Sequence, residues 1–300
     1  MRDFPSCFGE SGVQVADSSS SSSSNAIRTA QNLVTCVYQC RLDKISRFVT
    51  VTWTKNLMGQ GLSVGIETVT NQCLCKVDIK PWLFSKRKGC KALQVDSNII
   101  DLFWDVSSAK FGSGPEPLEG FYLAIVCNQE IILLLGDLQN EAYKKTDASP
   151  SMSGAVFIAK KEHIFGKKFY RAKAQFCAKG QTHDIVIECD TVDTSDPCLV
   201  VRIDAKAVMQ VKPLRWKFRG NNTILVDGLP VEVYWDVHSW LFGNVMGNAV
   251  FLFETCMSDE KLLTSESISS PLLSWSCSQR RDSESHGQGF SLILYAWKNE

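Results

Sequence analysis

The sequence predicts a mostly β protein in which two pseudo-repeated antiparallel β units, sandwich-like or barrel-like, pack together with very little helix. Three observations predict it. Runs of β-branched and aromatic residues without a helical period recur along the chain. Helix signals concentrate in one short segment, 138–145. A twenty-residue segment recurs 131 positions later in the chain.

From the N-terminus, residues 1–28 carry seven consecutive serines, Ser18 to Ser24, and few core-forming side chains. Such sequence buries too little apolar surface to offset its ordering entropy, so a disordered tail is expected. The first β unit is placed at 29–136. Its strands are expected at 48–54, 62–69, 74–79, 99–106, 121–127 and 131–135, the first from the run Phe48-Val49-Thr50-Val51-Thr52-Trp53-Thr54. A linker at 137–153 contains the helical turns. The second unit, 154–300, has strand patterns at 185–188, 199–203, 231–237 and 249–255. A serine-rich segment at about 257–288 interrupts it and is read as a flexible loop. The next apolar run, Phe290 to Trp297, is then the expected antiparallel partner of 249–255, since loop entropy grows only logarithmically with length.

The recurrence is specific. Residues 93–112, LQVDSNIIDLFWDVSSAKFG, align without a gap with 224–243, ILVDGLPVEVYWDVHSWLFG, at eight identities in twenty. The structural repeat includes Trp104, Asp105, Phe111 and Gly112, matched by Trp235, Asp236, Phe242 and Gly243. The tryptophans are expected in the core and the aspartates as acceptors of backbone hydrogen bonds at a strand end. Weaker matches lie upstream, Pro81-Trp82-Leu83-Phe84 against Pro213-Leu214-Arg215-Trp216, and Gly59-Gln60 against Gly180-Gln181. Fixed order with drifting offset indicates duplicated β units.

Charge and composition exclude several classes. The chain has 32 basic and 32 acidic residues, so its balance gives no support to a nucleic-acid or anionic-membrane partner. No apolar run approaches the roughly 20 residues of a membrane-spanning helix, so no transmembrane segment is expected. The N-terminus lacks a signal-peptide core, and Arg2 excludes myristoylation. The expected location is therefore cytoplasmic or nuclear, with the 12 cysteines as free thiols.

Each candidate chemistry has a simpler reading beside it. Gly59-Gln60-Gly61 through Gly65 precedes a strand pattern and not the helix that a phosphate loop requires, so it is read as a hairpin connection. Cys36, Cys40, Cys73 and Cys75 lack the C-x-x-C spacing of structural zinc sites and are read as buried apolar residues. Asp105 and Asp236 resemble a pseudo-symmetric carboxylate pair, but neither stands in an Asp-Thr-Gly or Asp-Ser-Gly triplet; they are read as caps. His163, His183, His238 and His286 form no ligand pattern. No catalytic residue, metal ligand or cofactor site is assigned. The basic turns at 86–88 and 212–219 interleave with Trp82, Phe84, Trp216 and Phe218, a mixture used for nucleic acids or phosphoinositides. Strand ends packing inward are the simpler account. Arg280-Arg281-Asp282-Ser283 makes Ser283 a candidate phosphorylation site.

The blocks MRDFPSCFGE, AQNLVTCVYQC, NLMGQGLSVGIE, KVDIKPWLFSKRKG, FGSGPEPLEGFY, EHIFGKK, RWKFRGNNTILVDGLPVEVYWDVHSWLFGN and SLILYAWKNE closely resemble a plant family known as domain of unknown function 868. The resemblance spans nearly the whole chain and is weakest in the serine tract and at 257–288. It implies a plant source and transfers no catalytic residues. The expected function is a non-enzymatic interaction or scaffold module with a protein partner; the alternative is a β-barrel-type carrier of a small apolar ligand.

Overall fold

The computed structural model describes residues 32–43, 45–56, 59–79, 87–95, 98–151, 154–177, 180–190, 197–243, 247–255 and 289–298. The serine tail, Trp82, Phe84, the turn residues Asp96 and Ser97, the segment 257–288 and Ser283 lie outside them. Strand makes up 67% of the described residues and helix 6%, so the core comes from sheets packed face to face.

The first unit forms two successive antiparallel meanders. β1 (Asn32–Leu42), β2 (Ile45–Asn56), β3 (Gly59–Glu67) and β4 (Cys73–Ile79) make one layer. β5 (Lys88–Val95), β6 (Asn98–Asp105), β9 (Tyr122–Cys127) and β10 (Glu130–Gly136) make the facing layer, interrupted by the small hairpin β7 (Lys110–Phe111) and β8 (Pro117–Glu119). Val49, Val51, Trp53 and Val64 from the first layer meet Ile100, Leu102, Trp104 and Ile125 from the second. α1 (Gln139–Thr146) comes next and docks Ala142 against Tyr122 and Ala124. The two-residue β11 (Ser149–Pro150) then pairs parallel to β10.

β12 (Val156–Phe165) begins the second unit. β13 (Phe169–Ala174), β14 (His183–Cys189), β15 (Leu199–Ile203) and β16 (Lys206–Val211) form a four-stranded layer. It faces β17 (Arg219–Val226), β18 (Leu229–Asp236), β19 (Asn248–Thr255) and β20 (Ser291–Trp297), with α2 (His238–Phe242) between β18 and β19. Ile185, Ile187 and Val201 pack against Val233, Trp235, Phe251, Phe253 and Leu294.

One nine-stranded sheet, β17-β18-β19-β20-β12-β1-β2-β3-β4, contributes a layer to both sandwiches. β12 is the joint: it runs antiparallel to β1 and parallel to β20. The expected hairpin is present, with Ala249 opposite Ala296 and Phe253 opposite Leu292. Three expectations are corrected. Among the described residues no barrel closes, because the large sheet runs open from β4 to β17, so the barrel-like alternative gives way to sandwiches. The pairing is not purely antiparallel, as β12 with β20 and β10 with β11 show. The Gly59–Gly65 stretch is strand β3 itself, where Gly65 leaves room for Thr50: a Cβ there would lie 2.6 Å from Thr50 Oγ1.

The inward face of the large sheet can be traced strand by strand. One row reads Val233, Phe253, Leu292, Lys160, Cys36, Val51, Val64 and Val77. The next reads Trp235, Phe251, Leu294, Glu162, Val34, Trp53 and Leu62. Both rows are apolar except at β12. Lys160 Nζ lies 3.3 Å from Glu162 Oε2 and 3.0 Å from Glu116 Oε2, while the Cys36 thiol donates to Glu116 Oε1 at 3.5 Å. Burial by itself would lower the Lys160 pKa, but Glu162 and Glu116 outweigh it and hold the ammonium charged. Burial pushes the Glu162 carboxyl up against the opposing pull of Lys160. The cluster thus fills the seam between the two apolar cores.

At one end of the second sandwich, His183 clasps the two layers. Its Nδ1 lies 2.6 Å from Asp204 Oδ2 in the β15–β16 turn, and its Nε2 lies 3.0 Å from Asp227 Oδ2 in the β17–β18 turn. Gln181 Nε2 donates to the same Asp227 oxygen, and Asp204 Oδ1 accepts the Asp184 amide. Two carboxylate acceptors require both ring nitrogens to donate, which is the imidazolium form. Burial (3% exposed) would lower the pKa, but Asp204 and then Asp227 raise it above the ordinary histidine value.

These polar contacts are open to direct test. Lys160→Met should cost about 3 kcal/mol by leaving two carboxylates without their cation, and adding Glu162→Leu and Glu116→Gln should restore most of it; urea unfolding of the wild type, the single variant and the triple variant measures both. For His183 the folded pKa exceeds the unfolded one. Its stabilisation is therefore complete below about pH 6.5 and fades as pH rises through the folded value. Thermal melts of the wild type and His183→Gln across that range should converge as pH increases; a constant difference would contradict the clasp.

Candidate interaction site at the Trp216 turn

The site grows out of the recurring hairpins. In β5–β6, Gly89 sits opposite Trp104; in β17–β18, Gly220 sits opposite Trp235. Glycine is required at both, because a Cβ would lie 2.6 Å and 2.5 Å from the respective indole Cζ2 atoms. The indoles are buried, at 3% and 6% exposure. One step later each aspartate caps its strand end as expected. Asp105 Oδ1 accepts the Ser107 amide and Asp236 Oδ1 accepts the His238 amide, both at 3.0 Å. Each also pairs with the basic residue opposite, Lys88 with Asp105 at 2.8 Å and Arg219 with Asp236 at 2.7 Å. Burial would raise the Asp105 pKa, yet Lys88 and the Ser107 amide bring it below the usual range.

Beyond the aspartate the two segments part. Phe111 lies in β7 and Gly112 just after it, where a Cβ would meet Leu118 at 3.3 Å. Phe242 ends α2 and is 54% exposed, and Gly243 comes next, against the Ser239 carbonyl. The recurring Trp-Asp pairs therefore form two separate strand ends, and Asp105 and Asp236 each serve their own hairpin in different sheets.

The second hairpin also positions a turn. The Trp235 indole N–H donates to the Lys217 carbonyl at 2.9 Å, and the Val237 amide donates to the Phe218 carbonyl. Leu214 is fully buried, and its amide donates to the Pro197 carbonyl. The Trp216 and Lys217 amides both donate to the Pro213 carbonyl, which closes the turn. Anchored at Leu214 and Lys217, the turn projects Trp216 with 85% of its surface exposed. Lys212, Arg215, Lys217 and Arg219 flank it, all exposed, and 212–219 contains no acidic residue. Beside it Phe218 packs edge-on to Phe242 and contacts His238, with the Arg219 guanidinium over its ring. The inward-packing account of this segment therefore holds for Leu214 and Phe218 and fails for Trp216.

Other sequence candidates resolve differently. Lys88 of the first basic turn is committed to Asp105. Cys36 and Cys40 lie on β1, while Cys73 and Cys75 lie on β4, three strands away, or about 14 Å at ordinary strand spacing. That separation splits the four thiols, and the buried reading holds for Cys36 and Cys40 but fails on the edge strand β4, where Cys73 is exposed and Cys75 half-buried. Burial pushes the Cys40 thiol up to about 12, so it is held protonated. Sequence reasoning missed the Lys160–Glu116–Glu162 cluster; its signal is Lys-Lys-Glu-His inside the otherwise apolar 156–165.

Comparison with known proteins gives one result. The chain matches the family model for plant proteins of unknown function, DUF868, over residues 29–298, and it belongs to that family. No curated protein and no solved structure matches it.

The tryptophan hairpins generate a prediction. Trp104→Ala and Trp235→Ala should each destabilise by about 3–5 kcal/mol in chemical unfolding, as truncation of a core aromatic does. Gly220→Ala should cost about 1–3 kcal/mol, since the added methyl displaces the indole and not solvent. A neutral Gly220→Ala would remove the argument that indole contact selects the glycine.

Proposed function

We propose that this member of the family is a non-enzymatic interaction module whose contact face is the Trp216 turn. The observation that carries the reading is an indole left 85% exposed on a turn whose anchors are buried. Folding gains nothing from exposing the largest aromatic side chain, and aromatic residues with arginine are enriched where proteins meet partners. The duplication inferred from the recurring segments supplies the frame: units at 29–136 and 154–300, joined through 137–153, hold the face rigid. The proposed location is the cytoplasm or nucleus.

A second reading has its own observation. A cleft of about 300 Å³ lies between β10–β11 and the start of β12, lined by Tyr38, Leu133, Leu135, Tyr143, Ala155 and Phe157. This is within the size range of small-molecule sites and supports the carriage of a small apolar ligand.

Affinity purification from plant tissue with wild type and Trp216→Ala separates the two. The interaction reading expects an associated component that is reproducible with the wild type and depleted with the variant. Equal recovery with both proteins would overturn the Trp216 face. A small molecule retained in native mass spectrometry and lost on Leu133→Trp would instead favour the cleft.

A further inference from the structure

We infer that the Trp216 turn docks on an anionic lipid bilayer, a reading that rests on the turn being the contact face. Zero net charge argues against an anionic partner only if the charge is evenly spread, and here it is not. Within 212–219 four cations and no acid surround one projecting indole. Of the four, Arg219 is paired with Asp236, which leaves Lys212, Arg215 and Lys217 to face outward.

The shape of the site selects among anionic partners. Acidic peptides and phosphopeptides are held where basic groups converge in a groove, whereas this is a projecting turn. Single-stranded nucleic acid needs a run of free aromatic faces. The Phe218 ring is already taken up by Phe242, His238 and Arg219, so the described residues of this turn offer no run of free aromatic faces. A bilayer asks for less. An amphipathic indole settles at headgroup depth, and cations within a Debye length are attracted by anionic headgroups. The half-exposed Phe242 beside Phe218 widens the apolar part of the footprint. The buried anchors Leu214 and Trp235 mean that little order is lost on docking, which favours binding.

Co-sedimentation of the full chain with vesicles tests this, using phosphatidylcholine alone and phosphatidylcholine with added phosphatidylserine. The wild type should bind the phosphatidylserine vesicles selectively and lose binding as salt increases. Arg215→Gln with Lys217→Gln should weaken binding by about 25-fold, from about fivefold per cation. Trp216→Ala should weaken it by about tenfold, the scale of one aromatic burial. Both changes lie on exposed side chains, and unchanged melting temperatures will show that folding is intact. Equal binding to both vesicle types, or binding indifferent to Trp216, overturns the inference. Absent vesicle binding together with a Trp216-dependent protein partner or oligonucleotide overturns the bilayer but keeps the contact face. Indifference of every association to Trp216 overturns both.

Discussion

The structure depends on the pairing of one strand with two neighbours from different units. β12 takes β1 on one edge and β20 on the other, and so turns two four-stranded layers into a single sheet of nine. Strands register in twos, so a slip of one residue would turn Lys160 and Glu162 outward, away from Glu116, and carry Lys161 and His163 inward in their place. Their partial burial between two apolar cores is tolerable only while Glu116 reaches across from the segment between β7 and β8. The charge cluster therefore acts less as a source of stability than as a constraint on register. Every contact between the two sandwiches inherits that register.

The same economy links core to surface. Trp235 fills the second core with its rings and holds the Lys217 carbonyl with its N–H, so one side chain serves both packing and the shape of an external turn. Trp104 occupies the matching hairpin position with the same facing glycine. Past the shared aspartate the units diverge: a β hairpin covers the seam in one, and a short helix exposes Phe242 in the other. Like hairpin cores thus support unlike surfaces.

Legibility in sequence tracks burial. Strands in the middle of layers, such as β2, β6, β9 and β19, have dense apolar patterns and are readable. Layer-edge strands such as β5, β13, β16 and β17 keep one face in water, and their mixed polarity conceals them. β12 is concealed for another reason: its charged residues point inward, against the usual rule. The His183 clasp is illegible because its partners come from turns 21 and 44 residues away.

By itself the sequence determined the mostly β class, the recurrence of the tryptophan hairpin, the antiparallel return of the last strand onto β19 and membership of the plant family. Each of these rests on local pattern, on turn chemistry or on matched order along the chain, and needs no knowledge of what lies opposite. Only the tertiary structure decided that the layers form sandwiches sharing one sheet, that Lys160 lies half-buried on their inward face and that Trp216 projects into solvent. Those outcomes depend on which strands become neighbours across 100 residues or more, as Cys36 and Lys160 do. The apolar periodicity of a strand states how many of its faces are buried, but not by whom.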